Sequence, residues 1–521
     1  MRKGGVFIKT YGRKTIYANY TLDEFYTYKN FNVMVKRVID IIEASKPIHE
    51  ANHVETIYLK NYLYGKQDIY VDKQKLTRPE INNKTVENWA YAICDFKKTH
   101  LLGKPIQYVQ LDNADEEEIS LLNKYVRYEN KKAKDMSIYL DCLCCGRGFR
   151  YVNLDSKAVD VNDEAPFEII NCPAEDTEVI YSSGLGHDQL FAYIKTNMVY
   201  VDSEIDKNGN PITVERNYDE YTVYLRNAQF VVNNKSGVLK KVSDPIPILW
   251  NDNIITEYYL NEKRIGLIEI GKDLFNDINY LESLDKDDME QYVNAIMVFT
   301  NAEVSKEDLD DIKSMGAVCI NSTDAKKASV DLLQSRLNAT DTQTYYTRLL
   351  TSLHQILGVP MATDNGSVTS GDTGKAKLTG QGYTSASVRA EGDETMFGMC
   401  DYNSLKVILK ICRGVSASGI KTLKASDIDL RFQRDMSENL LVKTQGLLNL
   451  YACDIPRKYA NSIVNLFGDS ASVTQEQERL FGQQVSQQDK GTSQNSNAKD
   501  VDLANEQNNN IINAEETSEQ N

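Results

Sequence analysis

Apolar residues change their spacing twice along this 521-residue chain, and that change rules out a fold built from one kind of element. Up to residue 145 they recur three or four apart, as on helices. From about 148 to 249 they fall into short runs rich in Val, Ile, Tyr and Phe, separated by Asn, Gly, Asp and Pro, as in a β region. Beyond 250 helical spacing returns. A chain this long exceeds the size at which a single core keeps growing, so several modules are expected. The fold class is therefore α+β multidomain.

Within the first part, Phe31, Met34, Val35, Val38, Ile41 and Ile42 mark an amphipathic helix over residues 31–43. A second helical pattern covers 52–64 and stops at Gly65, and 68–71 reads as a short extended piece. Helices are expected over 82–102 and, as one long element, over 116–145. The β block predicts strands at 149–153, 167–170, 177–181, 190–195, 221–225 and 230–232, with a hairpin connection at 206–212. Next, Ile268, Phe275, Ile278, Leu281 and Leu284 form one helical stripe, and Tyr345, Leu349, Leu353 and Leu357 another. Between them lie strand-like runs at 293–299 and 317–320 around an acidic helix start at Ser305, so a small αβ unit sits between two helices. A polar loop covers 361–374. A long helical pattern follows over 375–413, interrupted by Gly380 and Gly382; unbroken, it would span about 60 Å. A strand at 428–432 and helices at 439–451 and 457–467 precede a Gln, Asn, Ser and Glu tail without aromatics, which is expected to be disordered.

Charge narrows the function. Lys and Arg total 59 against 75 Asp and Glu, a net charge of −16, so the chain is not built for tight, sequence-independent binding of phosphate backbones. The longest apolar runs fall far short of a bilayer span and the start of the chain lacks a signal-peptide core, so a soluble, unexported protein is expected. Nine cysteines follow no metal or disulfide spacing. Cys142, Cys144 and Cys145 read as buried thiols at a helix-to-strand junction, with no metal and no cofactor.

Local matches to enzyme motifs fail on chemistry. Gly366 to Gly371 has phosphate-loop spacing and Thr373 fits its Ser or Thr position, but Asp372 stands where Lys is needed, so an acid would face the phosphates. Asp372-Thr373-Gly374 occurs once, although aspartic protease chemistry needs two carboxylates sharing a proton. Gly146-Arg147-Gly148 follows a helix and reads as a turn. The five histidines are dispersed. No catalytic residue is assigned.

In order along nearly the whole chain, four segments resemble the SPP1-like class of phage portal proteins. Asn61-Tyr62-Leu63-Tyr64-Gly65-Lys66-Gln67-Asp68-Ile69 resembles that family's "YYxGxQ" helix end. Asn82, Asn83, Asn88 and the run from Asp95 to Gly103-Lys104-Pro105-Ile106 are similar to its "NN…N…vd…yllGkPv" segment. Pro245-Ile246-Pro247-Ile248-Leu249-Trp250-Asn251-Asp252-Asn253 resembles its "iPiixfxNN" strand, with Trp250 where Phe or Tyr is commoner. Leu357-Gly358-Val359-Pro360 is similar to the lead into a tunnel loop.

The resemblance implies a non-enzymatic, ring-forming portal, typically a dodecamer, at the capsid vertex of a virion assembled in the host bacterial cytoplasm. It would serve DNA packaging, genome ejection and head-tail joining. Its parts would be a mixed αβ wing (1–262, with return through the long helix of 375–425), helical stem (263–288 and 337–358), αβ clip (289–336), tunnel loop (359–374), helical crown (426–482) and a disordered tail (483–521). Implied partners are further copies of the chain, double-stranded DNA, the terminase large subunit, a head-tail adaptor, and the major capsid and scaffold proteins, with no membrane. Tunnel-loop residues Thr363, Asp364, Asn365, Ser367, Thr369 and Asp372, with Lys375 and Lys377, are expected to approach DNA without reading bases; the alternative is a solvated loop whose lysines pair with nearby acids. Glu303, Lys306, Glu307, Asp308, Asp310 and Asp311 form the expected clip partner surface, or else a plain solvated helix face. The alternative for the whole chain is another phage assembly protein such as an adaptor.

Overall fold

The computed structural model describes residues 12–76, 79–111, 116–155, 164–205, 211–293, 296–300, 329–333, 339–361, 383–433, 440–453 and 455–464, with Val473 and Arg479. The chain is α+β, with helices around mixed sheets. It divides into two compact units at residues 438 and 439.

The first unit opens with strand β1 (Ile16–Ala18) and helices α1 (Leu22–Tyr26), α2 (Phe31–Leu63), α3 (Ile69–Asp72) and α4 (Trp89–Leu102). Strand β2 (Gln107–Gln110) and helices α5 (Glu116–Tyr128) and α6 (Lys131–Cys145) follow. The β block contributes β3 (Arg147–Leu154), β4 (Phe167–Cys172), β5 (Thr177–Ser182), β6 (Gln189–Ile205), β7 (Pro211–Tyr224), β8 (Ala228–Asn233), β9 (Lys240–Lys241), β10 (Ile246–Pro247) and β11 (Ile255–Tyr259). Then come α7 (Leu267–Val293), β12 (Ile296–Thr300), β13 (Ser329–Leu333), α8 (Ala339–Leu357), α9 (Tyr383–Gly414) and β14 (Ile428–Arg431). The second unit holds α10 (Leu440–Ala452) and α11 (Arg457–Val464), joined by Tyr451 donating to Asn461 at 2.6 Å.

Seven strands form the main sheet in the order β1-β5-β6-β7-β8-β10, with β9 also on β8. A second sheet runs β11-β3-β4, and β14 pairs with β2. Helices α1 and α2 cover the main sheet through Phe25, Met34, Val38 and Ile42 against Phe191, Val223 and Phe230. Another core gathers α4, α6, α7, α8 and α9 around Tyr139, Tyr258, Phe275, Leu353 and Phe397.

Several elements depart from the sequence expectations for identifiable reasons. Residues 31–43 and 52–64 belong to one 33-residue helix that runs through Pro47. The buried stripe of α2 continues through Ser45, His49, Asn52 and Thr56, polar side chains that hid the pattern. The expected extended piece at 68–71 is instead the single turn α3. Residues 116–145 make two helices, because Asn130 takes a left-handed φ of 50° between them. Gly146 ends α6 with φ 80°, where an added Cβ would meet Arg264 O at 1.9 Å, and only this residue turns the chain: Arg147 and Gly148, expected in the turn, already pair as the first residues of β3. Cys142, Cys144 and Cys145 are buried at that helix-to-strand junction.

Where these layers meet, two cations and two anions are buried together. Arg150 of β3 lies 2.7 Å from Asp135 and 3.2 Å from Asp401, and Lys131 lies 2.8 Å from Asp135 and 2.9 Å from Asp401. Tyr258 and Tyr108 donate to the two oxygens of Asp401 at 2.9 and 3.0 Å. Burial alone would raise the Asp401 carboxyl, but Lys131 and Arg150 outweigh it and hold the group below its ordinary value. The network ties α6, β2, β3, β11 and α9 at one point. A second buried pair joins the two larger sheets: Arg147 of β3 grips Glu178 of β5 through two bonds of 2.7 and 2.8 Å, and Asn52 of α2 adds a third of 3.1 Å.

Two predictions follow from these charges. Asp401→Ala leaves Arg150 and Lys131 undercompensated in a buried site and should cost about 3–5 kcal/mol, read as a large fall in the thermal unfolding midpoint; an unchanged midpoint contradicts the role assigned to the network. For Glu178, burial raises the carboxyl, but Arg147 and His49 outweigh it and bring it to about 2, from 4.5. A depressed folded value stabilises the protein above the unfolded value, so this contribution is complete above about pH 4.5 and lost as pH falls toward 2. In Glu178→Gln that part of the acid dependence should disappear from the unfolding midpoint measured against pH.

Candidate functional site

The feature that stands apart from the layered body is the excursion α7-β12-β13-α8. Helix α7, 27 residues, is about 40 Å long by its rise. Strands β12 and β13 pair antiparallel, Ile296 opposite Leu333 and Thr300 opposite Ser329, so the two helices are bridged by a small sheet. Phe275 and Ile278 of α7 and Leu349, Leu353 and Leu357 of α8 turn into the common core.

The start of α7 is held tightly. Glu269, in its first turn, accepts from Gly266 N at 3.0 Å, Gly12 N at 2.9 Å and Arg13 at 2.6 Å. Just before it, Arg264 pairs with Glu257 at 3.0 Å, and Glu257 also accepts a hydrogen bond from Tyr181. Gly266 has no room for a side chain, since a Cβ there would meet Cys144 O at 2.2 Å. Further along, Asp287 accepts from Lys73 and from Asn83 N, both at 2.7 Å. Of the asparagines singled out by resemblance, Asn83 thus braces α7 through Asp287, and Asn88 caps α4.

The end of α8 is held just as closely. Gly358 has φ 68°, and Val359 N returns to His354 O at 3.0 Å, a left-handed helix stop that glycine permits without strain. Arg389 of α9 reaches across and donates to Ile356 O at 2.7 Å and Gln355 O at 3.0 Å, capping the last carbonyls. Sequence reading marked Gly358 only by resemblance and missed Arg389, for which no local pattern gave a signal.

The outward surface of this helix pair is acidic on one helix and neutral on the other. Asp273, Asp277, Asp285 and Glu290 are exposed on α7, with Lys286. On α8 the exposed row Thr340, Gln343, Thr344 and Thr347 lines an open groove. Thr344, Thr347 and Thr351 donate to the carbonyls of residues 340, 343 and 347 at 2.7 to 2.8 Å, so their hydroxyl protons are used within the helix. Arg348 is the exposed cation on α8 among its described side chains. Such a face attracts phosphates weakly.

All of the site residues expected from sequence lie outside the described residues. Thr363, Asp364, Asn365, Ser367, Thr369, Asp372, Lys375 and Lys377 fall in 362–382, and Glu303, Lys306, Glu307, Asp308, Asp310 and Asp311 fall in 301–328. What the structure does give is the anchorage of both ends of the 362–382 segment, through Gly358 and Arg389. Among the described residues no group of three or more His, Cys, Asp or Glu could hold a metal ion, and no helix is long and apolar enough to cross a membrane.

Replacing Gly358 by Ala forces a left-handed alanine, which costs roughly 1–2 kcal/mol, and its Cβ would sit 2.2 Å from Arg389 Cδ. The last-turn amides of α8 should then exchange with deuterium faster than in the wild type. Gly392→Ala, in the open middle of α9 with nothing within 4 Å of the new Cβ, should instead stabilise by about 0.5–1 kcal/mol. Equal exchange in both variants contradicts the cap.

The comparisons with known proteins bear on these elements. The family described as phage portal protein, SPP1 Gp6-like, matches residues 42–490, well over half of the chain. No curated protein matches. Among solved structures, a chain from the neck of an empty GTA particle computed with C6 symmetry is similar at 11% identity, with a TM-score of 0.39, over 73% of this chain and 90% of that one; so low a score carries no argument. The family match, which runs across the braced helix pair and both its anchors, shows that the chain belongs to the SPP1 Gp6-like family of phage portal proteins.

Proposed function

We propose that this portal-family chain assembles into a ring at the capsid vertex, with α7 and α8 as stem helices beside a central channel through which double-stranded DNA is packaged and ejected. The observation that carries the reading is the braced α7-β12-β13-α8 excursion, with its acidic and donor-poor outward surface, inside the matched span. A channel wall rich in cations would release counterions from each neutralised phosphate and trap the duplex. A wall with four exposed acids on α7 and back-bonded threonines on α8 keeps DNA centred and mobile.

In this reading residues 1–262 with 375–425 form the wing, 263–288 and 337–358 the stem, 289–336 the clip, which takes in the last residues of α7, 359–374 the tunnel loop, 426–482 the crown and 483–521 the tail. Thr363 to Asp372, with Lys375 and Lys377, approach the DNA, while the acidic stretch of Glu303 to Asp311 meets the adaptor or the packaging motor. The chain supplies no chemistry; ATP hydrolysis belongs to the terminase large subunit, and scaffold and capsid proteins surround the ring.

Two experiments test this. Replacing residues 363–372 by a Gly/Ser linker should leave heads assembled but reduce packaged DNA, and undiminished packaging contradicts the loop's role. Asp273→Lys with Asp277→Lys adds two cations per subunit to the stem. DNA retention by purified assemblies should then become steeply salt-dependent, the log-log slope steepening by about 0.9 for each phosphate newly contacted. An unchanged slope means that this face does not line the channel.

A further inference from the structure

Beyond the last pairing of β6 with β5 at Ile194, and of β7 with β8 at Glu220, the two strands continue together as a lone ribbon from Asn197 opposite Asp219 to Ile205 opposite Pro211. Nine residues on each strand reach about 30 Å from the sheet. Among the described strands nothing else pairs with either edge over this stretch. A two-stranded ribbon is marginal alone in water, and open strand edges are templates for a further strand.

Its side chains add to the case. Asn197, Val199 and Val201, with Asn217 and Glu215 opposite, share one face by alternation, and all are exposed, Val199 at 61% and Val201 at 63%. Between residues 197 and 219 the described side chains of this face include two acids and no cation: Asp219, at the base, is paired with Lys195 and Lys46 at 3.3 and 3.9 Å, and Glu215 stands further out. The other face is occupied at its base, where Tyr200 and Tyr218 stack edge to face and Lys235 lies 4.2 Å from the Tyr200 ring.

At the margin of the same sheet, the edge around β9 has the complementary character: Val238 and Val242 are exposed at 58% and 54%, with Lys240 exposed and Lys241 half-buried between them. Strand β9 lies on the side of β8 away from β7. Its open edge therefore points away from β7, and it does not pair with the ribbon of the same copy. Two different, complementary surfaces on one chain make a head-to-tail contact, which closes into a ring when the rotation between copies allows.

We infer that the exposed Val199–Val201–Glu215 face of the ribbon docks on the Val238–Val242 margin of a second copy of this chain, so that each subunit clasps its neighbour through the β module. This rests on the ring proposed above and adds which surfaces make it. Glu215 and Lys240 form the charged pair of the contact, and Val199 and Val201 supply its apolar area.

The test uses the full chain with Cys319→Ser and Cys453→Ser, which leaves the buried thiols in place. Val201→Cys and Val242→Cys are introduced singly and together, assemblies are verified by native mass spectrometry, and they are then treated with a short bismaleimide. The double variant should give a ladder of linked subunits on a denaturing gel and each single variant none. A ladder from Val201→Cys alone means that ribbon meets ribbon, and no ladder from assembled double variant means that the two surfaces are apart; either overturns the inference while leaving the ring intact. Absence of rings from the unsubstituted chain, alone and with capsid and scaffold proteins, overturns the ring and the clasp together. As a second variant, Glu215→Lys and Lys240→Glu should each lower the ring fraction about tenfold at low salt, with recovery when both are combined. Failure to recover in folded double variant counts against the pair.

Discussion

Asp401 is closed off from solvent and has four partners. Its carboxylate is fully buried, within 3.2 Å of Arg150, Lys131, Tyr258 and Tyr108, and those groups come from four different elements. Removing so many charges from water is expensive, and apolar residues of similar volume could do as well for stability alone. What the network supplies here is a unique placement of α9 against the β11-β3-β4 sheet. With α9 placed, Phe397 sits 5.1 Å from Tyr258 and 5.7 Å from Tyr139, and Arg389 falls where it caps α8. Glu269 and Asp287 fix α7 from the other side. The helix pair is therefore rigid at its base because a charge cluster deeper in the body is satisfied.

Much of this architecture was legible in the sequence. Elements with an apolar stripe or a β-branched run, such as α7, α8 and the strands from β3 to β8, stood out because their buried faces are hydrophobic. Two of the unread parts share a cause: burial of polar residues. Ser45, His49, Asn52 and Thr56 made one long helix look like two. Lys131 and Asp135, four apart on α6, are almost completely buried although their charges break the apolar pattern. The resemblance of the Asn82, Asn83 and Asn88 segment to portal sequences carried more than its pattern could explain, since Asn83 proves to brace α7 and Asn88 to cap α4. Arg389 gave no signal because its role depends on a helix end more than thirty residues earlier in the chain. The long reach of β6 and β7 was missed because the ribbon lacks a buried side to set a pattern.

In the proposed channel, the acidic balance and the donor-poor helix face fit a single physical demand, to guide a polyanion without holding it. Affinity for DNA grows with every phosphate neutralised, whereas passage requires that no position along the duplex be preferred. In the proposed ring a weakly repulsive wall meets that demand, and strong ionic interactions are kept within the subunit. In this chain the strong charge pairs are indeed turned inward: Arg147 with Glu178, Arg13 with Glu269, Lys73 with Asp287 and Arg150 with Asp135 all lie in buried surroundings. They shape the subunit, not its affinity for phosphate.

Electron cryomicroscopy of the assembled full-length protein is the most direct measurement of this account. It predicts closed rings of about a dozen copies in which α7 and α8 from every subunit stand around a central hole wide enough for duplex DNA, with the acidic side of α7 toward the hole. Rings whose hole is bounded by other elements, or a protein that stays monomeric alone and in the presence of capsid and scaffold proteins, would contradict it.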